Sequence, residues 1–298
     1  MSTATRALEI STAQIKLKIT VEEASKLRVH EEIIPSILSW LVEKIKGDGV
    51  FKDPVIVDEK TLIVLDGMHR VAAARVIGLK YIPVCLVDYD NPSIGLYTWS
   101  RVVKLKGGEA RSDLAGARKR VLGVLSRLGY RLVSVPSLDT GLRVLSRREI
   151  LGLVVLGKAL TGLKSPSRDI KSIYENVKRV EEALSQSGFK VEYYTERESI
   201  EIVERGDAVA ALIPPTILKS EVREVVLRGE VFVHKSTRHV IPARPLNVNT
   251  PLEWLLGDRD LEEVRALLVE HLSRRKVKVL PAGTVLDRRY DEELYVFE

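Results

Sequence analysis

Residues 62–70 read Leu62-Ile63-Val64-Leu65-Asp66-Gly67-Met68-His69-Arg70. Four apolar residues suited to a strand run without a break into Asp-Gly, and a short helix follows that Gly78 stops. Upstream, Val55–Val57 is a second short apolar run. The turn-like Asp58–Thr61 between the two predicts a hairpin. Downstream, Ile82–Val87 is another strand, so the block is one compact β-turn-α-β unit.

A strand that turns directly into a helix is an anion site. The first N–H groups of a helix point outward with the positive end of the dipole behind them. Gly67 lets a ligand approach the backbone, while His69 and Arg70 add cationic donors, Arg with a planar fork. Asp66 is the odd member. A carboxylate beside phosphates implies a magnesium ion or a substrate amine to offset it. An ordinary turn, with Asp66 capping the helix and Arg70 in solvent, reads equally from the spacing alone.

Around this block the pattern is α/β throughout. Ile15–Ile19 alternates as a strand, and Thr20 with Glu23 forms the signature of a capping box opening a short helix. After His30, the apolar positions Ile33, Ile34, Ile37, Leu38, Leu41, Val42 and Ile45 predict a helix, with Pro35 in its first turn and Gly47 at its end. Further on come a basic helix over 114–128, a strand over 153–156, a long helix over 167–187, a strand over 190–194 and a helix over 197–205. A strand over 208–213 and a helix over 216–228 follow. The last forty residues hold one helix (261–274) and one or two strands.

The chain has 298 residues, of which 45% are hydrophobic and 30% charged, with Gln at only two positions. That supports a packed core and fits a thermophile. The single cysteine, Cys85, excludes an intrachain disulfide and a cysteine zinc site. No apolar run reaches the roughly 18 residues of a membrane span, and Met1–Thr12 lacks the apolar stretch of a signal peptide. A cytoplasmic protein is expected. Residues 101–150 carry twelve Lys/Arg against four acids. Such a stretch is a solvated helix face, a subunit contact or a nucleic-acid footprint, and its near lack of stacking aromatics disfavours the last.

The strand ending in Asp-Gly-x-His-Arg, then a short helix, Gly and a strand with Pro, resembles the ParB/sulfiredoxin nucleotide-binding fold. Sulfiredoxins place a cysteine nucleophile before His-Arg; here Met68 stands there, with no thiol to attack. No helix-turn-helix of the ParB type follows. The sequence is closer to the archaeal free serine kinases, on four motifs in the same order: His30-Glu31, Asp66-Gly67-Met68-His69-Arg70, Tyr97-Thr98-Trp99 and Lys235-Ser236-Thr237-Arg238-His239. The resemblance covers roughly residues 20–256, weakly between 105 and 160, and leaves out the C-terminal forty. Met68 departs from the family, which has a histidine there.

The resemblance implies a ParB/sulfiredoxin-like domain over 1–105, an α/β domain over 106–256 and an extension over 257–298. It implies a kinase that moves a phosphoryl group from ADP or ATP to free L-serine, feeding cysteine and serine metabolism. Glu31 is then the general base, with Glu32 as its rival at the head of the helix; Asp66 is the second catalytic carboxylate. Gly67, Met68, His69, Arg70, Lys235 and Thr237 are expected at the nucleotide phosphates. Trp99, Arg238 and His239 are expected at serine, with Arg238 and His239 on a loop. Mg2+ is expected to ride on the phosphates, touched at most by Asp66. Two alternatives stay open: a nucleotide-dependent ParB-like nucleic-acid-binding protein, and a kinase for another small hydroxyl compound.

Overall fold

The computed structural model describes residues 7–106 and 113–298. Met1–Arg6, and Glu109 and Arg111 of the basic stretch, lie outside the described residues. The fold is mixed α/β and divides into two compact units. The first takes the chain up to Gly95 together with Val222–His234 and His239–Glu298; the second takes Leu96–Glu221 and Lys235–Arg238. The first unit is thus assembled from separated stretches, whereas the ranges expected from sequence were continuous.

The first unit is built on a five-stranded sheet in the order Leu8–Ser11, Lys16–Glu23, Tyr81–Val87, Val55–Asp58, Val64–Asp66. Only the pairing of Val55–Asp58 with Tyr81–Val87 is parallel. The hairpin, the strand-to-helix turn at Gly67 and the return strand therefore stand as the sequence indicated. Helix Pro35–Asp48 begins with its proline in the first turn, where no N–H is required, and ends on Gly49 at φ 67°. The expected stop at Gly47 is two residues early: Gly49 takes the left-handed conformation instead, and Gly47 is tolerated inside the helix. The capping box at Thr20 and Glu23 is also not formed. Both residues belong to the strand Lys16–Glu23, whose ladder runs from Leu17 opposite Val87 to Glu23 opposite Tyr81. A full set of ladder bonds and buried Ile19 and Val21 outweighs a local cap.

The C-terminal residues complete this unit. Helix Leu261–Ser273 buries Val264, Leu268 and Leu272, one face at four-residue spacing, into the same core as Ile19, Val57 and Val84. Strand Leu294–Phe297 lies between Arg244–Leu246, to which it is parallel, and Val277–Leu280.

The second unit is a six-stranded sheet in the order Phe189–Tyr194, Ser100–Leu105, Ala210–Ile213, Ile150–Leu156, Ala159–Lys164, Leu132–Ser134. Its longest helix, Ile170–Gln186, buries Ile173, Val177, Val180 and Leu184. A capping box does form here, between Thr195 and Glu198, at the head of Glu196–Glu204. Several charges of the basic stretch are used internally: Arg101 is 1% exposed and pairs with Glu181 at 3.3 Å, and Lys104 pairs with Glu192 at 2.6 Å.

Candidate active site

In the first unit, strand Val64–Asp66 hands the chain to helix Met68–Ile77 through Gly67, at φ 99°. The left-handed backbone calls for glycine, and a Cβ there would also come within 2.9 Å of the Arg70 guanidinium and push it aside. The first helical hydrogen bond runs from Val71 N–H to the Gly67 carbonyl at 3.0 Å. The N–H groups of the preceding turn stand at the positive end of the helix.

The side chains of the turn divide their work. Met68 packs against the core, so it presents its backbone to the turn and not a polar side chain. His69 Nε2 accepts the Ile34 N–H at 3.0 Å, and its ring stands edge-on to His234 at 5.4 Å. Arg70 turns onto the protein itself: Nη1 donates to the carbonyls of Asp53 (2.6 Å) and Pro54 (2.9 Å), and Nη2 to Asp66 Oδ2 (2.7 Å).

Asp66 Oδ2 accepts a second guanidinium, Arg244 Nη1 at 3.0 Å. Arg244 is 3% exposed; its Nε donates to Glu292 at 2.5 Å and its Nη2 approaches the His239 carbonyl at 3.4 Å. Burial alone pushes the Asp66 carboxyl up. The charges of Arg244 and Arg70, with smaller help from Arg288 and His239, override it and hold Asp66 below the ordinary carboxylate range. Asp66 is therefore a fixed anion at neutral pH, with Oδ2 occupied and Oδ1 the remaining acceptor.

Glu31 does not sit at the head of a helix. Residues 28–32 are extended: Arg28 bridges to Ile63 and Glu31 to Phe232, with Phe232 N–H donating to the His30 carbonyl at 2.8 Å and Glu32 N–H to Phe232 at 2.9 Å. The expectation that a helix dipole keeps Glu31 ionised is accordingly corrected; the helix begins at Pro35, four residues on. In an extended segment neighbours face opposite sides, and Glu31 is 4% exposed while Glu32 is half-buried. His30 Nδ1 donates to the Val64 carbonyl, fully buried, and the ring meets His239 edge-on at 5.4 Å. Burial pushes the His30 imidazole below its ordinary 6.5, against the opposing pull of Glu31 and of the Val64 bond. His239 Nε2 lies 2.7 Å from the Tyr89 hydroxyl. His239 and Arg238 begin the strand Arg238–Val240, not a loop, and His239 is buried.

Beside Arg70 the first unit has a recess of about 510 Å³, walled by Trp40, Leu41, Phe51, Tyr290 and Val296, with Lys44 and Asp53 among its polar groups. It was invisible in the sequence, because its walls run from Trp40 to Val296 with no motif between them. Among the described residues there is no group of three or more His, Cys, Asp or Glu placed to hold a metal. Cys85 is buried and its thiol is pushed up to about 12, which removes it as a nucleophile.

In the second unit Arg238 lies over the rings of Tyr97 (4.8 Å) and Trp99 (5.8 Å), and Lys235 over Trp99 at 4.8 Å. Lys235 holds a left-handed backbone at φ 60°. Its carbonyl accepts from Arg101 Nη1 at 3.1 Å, and the same nitrogen donates to the Trp99 carbonyl at 2.7 Å. Thr98 Oγ1 donates to the Ser236 carbonyl at 3.2 Å. Arg101, counted above as part of a basic stretch, is thus the buried brace of this segment.

Carboxylates, imidazoles and guanidinium groups gathered round a helix start are the equipment of phosphoryl transfer. No protein-family model matches the sequence. The chain is 32% identical over 250 residues to the ATP-dependent L-serine kinase of Staphylothermus marinus, covering 78% of this chain and 89% of that one. It is 29% identical over 242 residues to the ADP-dependent L-serine kinase of Thermococcus kodakarensis, covering 78% and 91%. A solved free serine kinase in complex with AMP superposes with a TM-score of 0.63 at 25% identity, over 80% of this chain and 93% of that one. The chain belongs to the L-serine kinase family.

Proposed function

We propose that this protein phosphorylates free L-serine, taking the terminal phosphoryl group of ADP or ATP and releasing AMP or ADP with O-phospho-L-serine. The observation that carries this reading is the Asp66–Arg70 turn, with buried Glu31 in the same unit, in a chain whose relatives are serine kinases. The donor's phosphates lie on the first turn of Met68–Ile77, against its N–H groups and His69. Its nucleoside lies in the recess beside Arg70, whose volume and mixed aromatic and polar walls suit such a ligand.

The serine hydroxyl oxygen forms the new bond to phosphorus as the bridging oxygen leaves with the nucleotide. Glu31 accepts the hydroxyl proton as that bond forms. A carboxylate buried on an extended segment suits this role, because its position is fixed by the bridge to Phe232. The residues present fit a magnesium ion brought in on the phosphates: among the described residues no group of three or more His, Cys, Asp or Glu would cage it, and Asp66, whose Oδ2 takes both guanidinium groups, has Oδ1 to offer. Bound there, magnesium would neutralise charge on the transferring group. The same reading assigns Lys235, Thr237, Arg238 and His239, with Trp99, to the anionic groups of the substrates, and places the reaction in the cytoplasm.

The test is direct. The protein is incubated with serine, magnesium and either ADP or ATP, and phosphoserine and AMP or ADP are quantified. Phosphoserine that disappears in excess chelator is expected. Full turnover in chelator removes the metal from the reading. A panel of hydroxyl compounds that outperform serine would reassign the substrate, and nucleotide-dependent binding to DNA or RNA that falls steeply with salt, without turnover, would replace the kinase reading.

A further inference from the structure

The last stretch of the chain is not a passive appendage. Glu292 is 7% exposed, and its carboxylate takes Arg244 Nε at 2.5 Å. The other edge of the same guanidinium holds Asp66 Oδ2, and Asp66 in turn is held by Arg70, which reaches the carbonyls of Asp53 and Pro54. The result is an unbroken series of alternating charges: Glu292, Arg244, Asp66, Arg70. Tyr290, two residues before Glu292, stands in the wall of the recess beside Arg70. Strand Leu294–Phe297 fixes the segment by pairing in parallel with Arg244–Leu246, opposing Arg244 to Leu294.

Deepening the kinase reading and resting on it, we infer that Val277–Glu298 is a working part of the nucleotide site, and that Glu292 is a positioning residue that sets Asp66 through Arg244. The physical argument has two parts. First, a buried ion pair contributes little net stability, since desolvation offsets its attraction. A chain that buries the Glu292–Arg244 pair, and continues it through the part-exposed Asp66 of the turn, gains geometry from the series. Second, Glu292 neutralises the face of Arg244 turned away from the turn. Without that charge the guanidinium is answered by Asp66 alone and draws the carboxylate toward itself. Asp66 Oδ1 then loses both its position and part of its attraction for a cation.

The test is a double-mutant cycle in the full chain, with Glu292→Gln, Asp66→Asn and the pair. Glu292→Gln is expected to lower kcat about tenfold with serine KM changed less than about twofold, and Glu292→Asp to recover most of the loss. In the Asp66→Asn background, Glu292→Gln is expected to add less than about a twofold further loss, because its route of action is already gone. Losses in kcat that multiply in the pair overturn the inference, as does wild-type kinetics in Glu292→Gln. Thermal melting of each variant shows which are folded at the assay temperature. If Glu292→Gln is not, the cycle is run at a lower temperature at which it is folded. A wild-type protein that forms no phosphoserine sinks the kinase reading; the cycle is then read in the dissociation constant for ADP, where multiplying losses, or no ADP binding at all, overturn this inference on their own.

Discussion

The Ile34 N–H donates to His69 Nε2 at 3.0 Å, so the ring proton of His69 resides on Nδ1. The bond ties the entry of helix Pro35–Asp48 to the phosphate turn and leaves His69 with one donor of fixed direction. His69→Ala removes the donor and leaves a part-buried N–H without its acceptor, at a cost of about 1–3 kcal/mol. A lower melting temperature and a raised nucleotide KM are expected together. Kinetics matching wild type would remove His69 from the phosphates.

Glu31 and Glu32 are expected to separate cleanly. Their side chains leave an extended segment on opposite sides, with Glu31 buried and Glu32 half-buried. Glu31→Gln keeps the shape and loses the basicity, so binding persists while kcat falls about 10²–10⁴-fold. Glu32→Gln changes kcat far less. Measuring both at saturating serine and nucleotide decides the matter: a crippled Glu32→Gln moves the base by one residue, and two active variants discard a carboxylate base.

Arg70→Lys is not a conservative change. The guanidinium spans two carbonyls and Asp66 at once, and a lysine ammonium cannot reproduce that fork. The nucleotide KM is expected to rise and the melting temperature to fall. An unchanged KM would show that the 53–54 loop and Asp66 hold their places without it.

Arg238→Ala strips a cation from the faces of Tyr97 and Trp99. Reduced kcat/KM for serine is expected with little change in melting temperature, because the brace of the segment is Arg101. Unaltered kinetics would take Arg238 out of substrate binding.

His30 makes stability depend on pH. Buried and held below 6.5, it stays neutral in the fold while the unfolded imidazole takes a proton. Its contribution is full above about pH 6.5 and is lost as pH falls from there through the folded value. Melting temperature is expected to drop between pH 7.5 and 5.5, and less steeply in His30→Gln. An equal slope in the two proteins would assign the effect elsewhere.

The Asp66–Arg70 turn was legible in sequence because its structure is local: a strand, Gly67 and a helix are contiguous. The hairpin and most helices were legible for the same reason. What failed were readings in which a local signal met a distant partner. Thr20 and Glu23 spell a cap, but Tyr81–Val87 recruits them into a sheet. Glu31 looked like a first-turn acid, but Phe232 holds it extended. Arg244 and Glu292 carry no motif, and only a fold that brings residues 178 and 48 positions apart together makes them neighbours of the turn.

The composition of the two units also bears on how the chain is made. The second unit comes almost wholly from Leu96–Glu221, so it can close as soon as that stretch has left the ribosome. The first unit cannot. Its sheet is synthesised early, yet the helix Leu261–Ser273 that covers buried Val21 and Val84, and the strand that seats beside Arg244, are synthesised last. During translation the earliest-made third of the chain lacks the helix that covers its sheet, and the Asp66–Arg244 pair gains its partner only when Glu292 arrives.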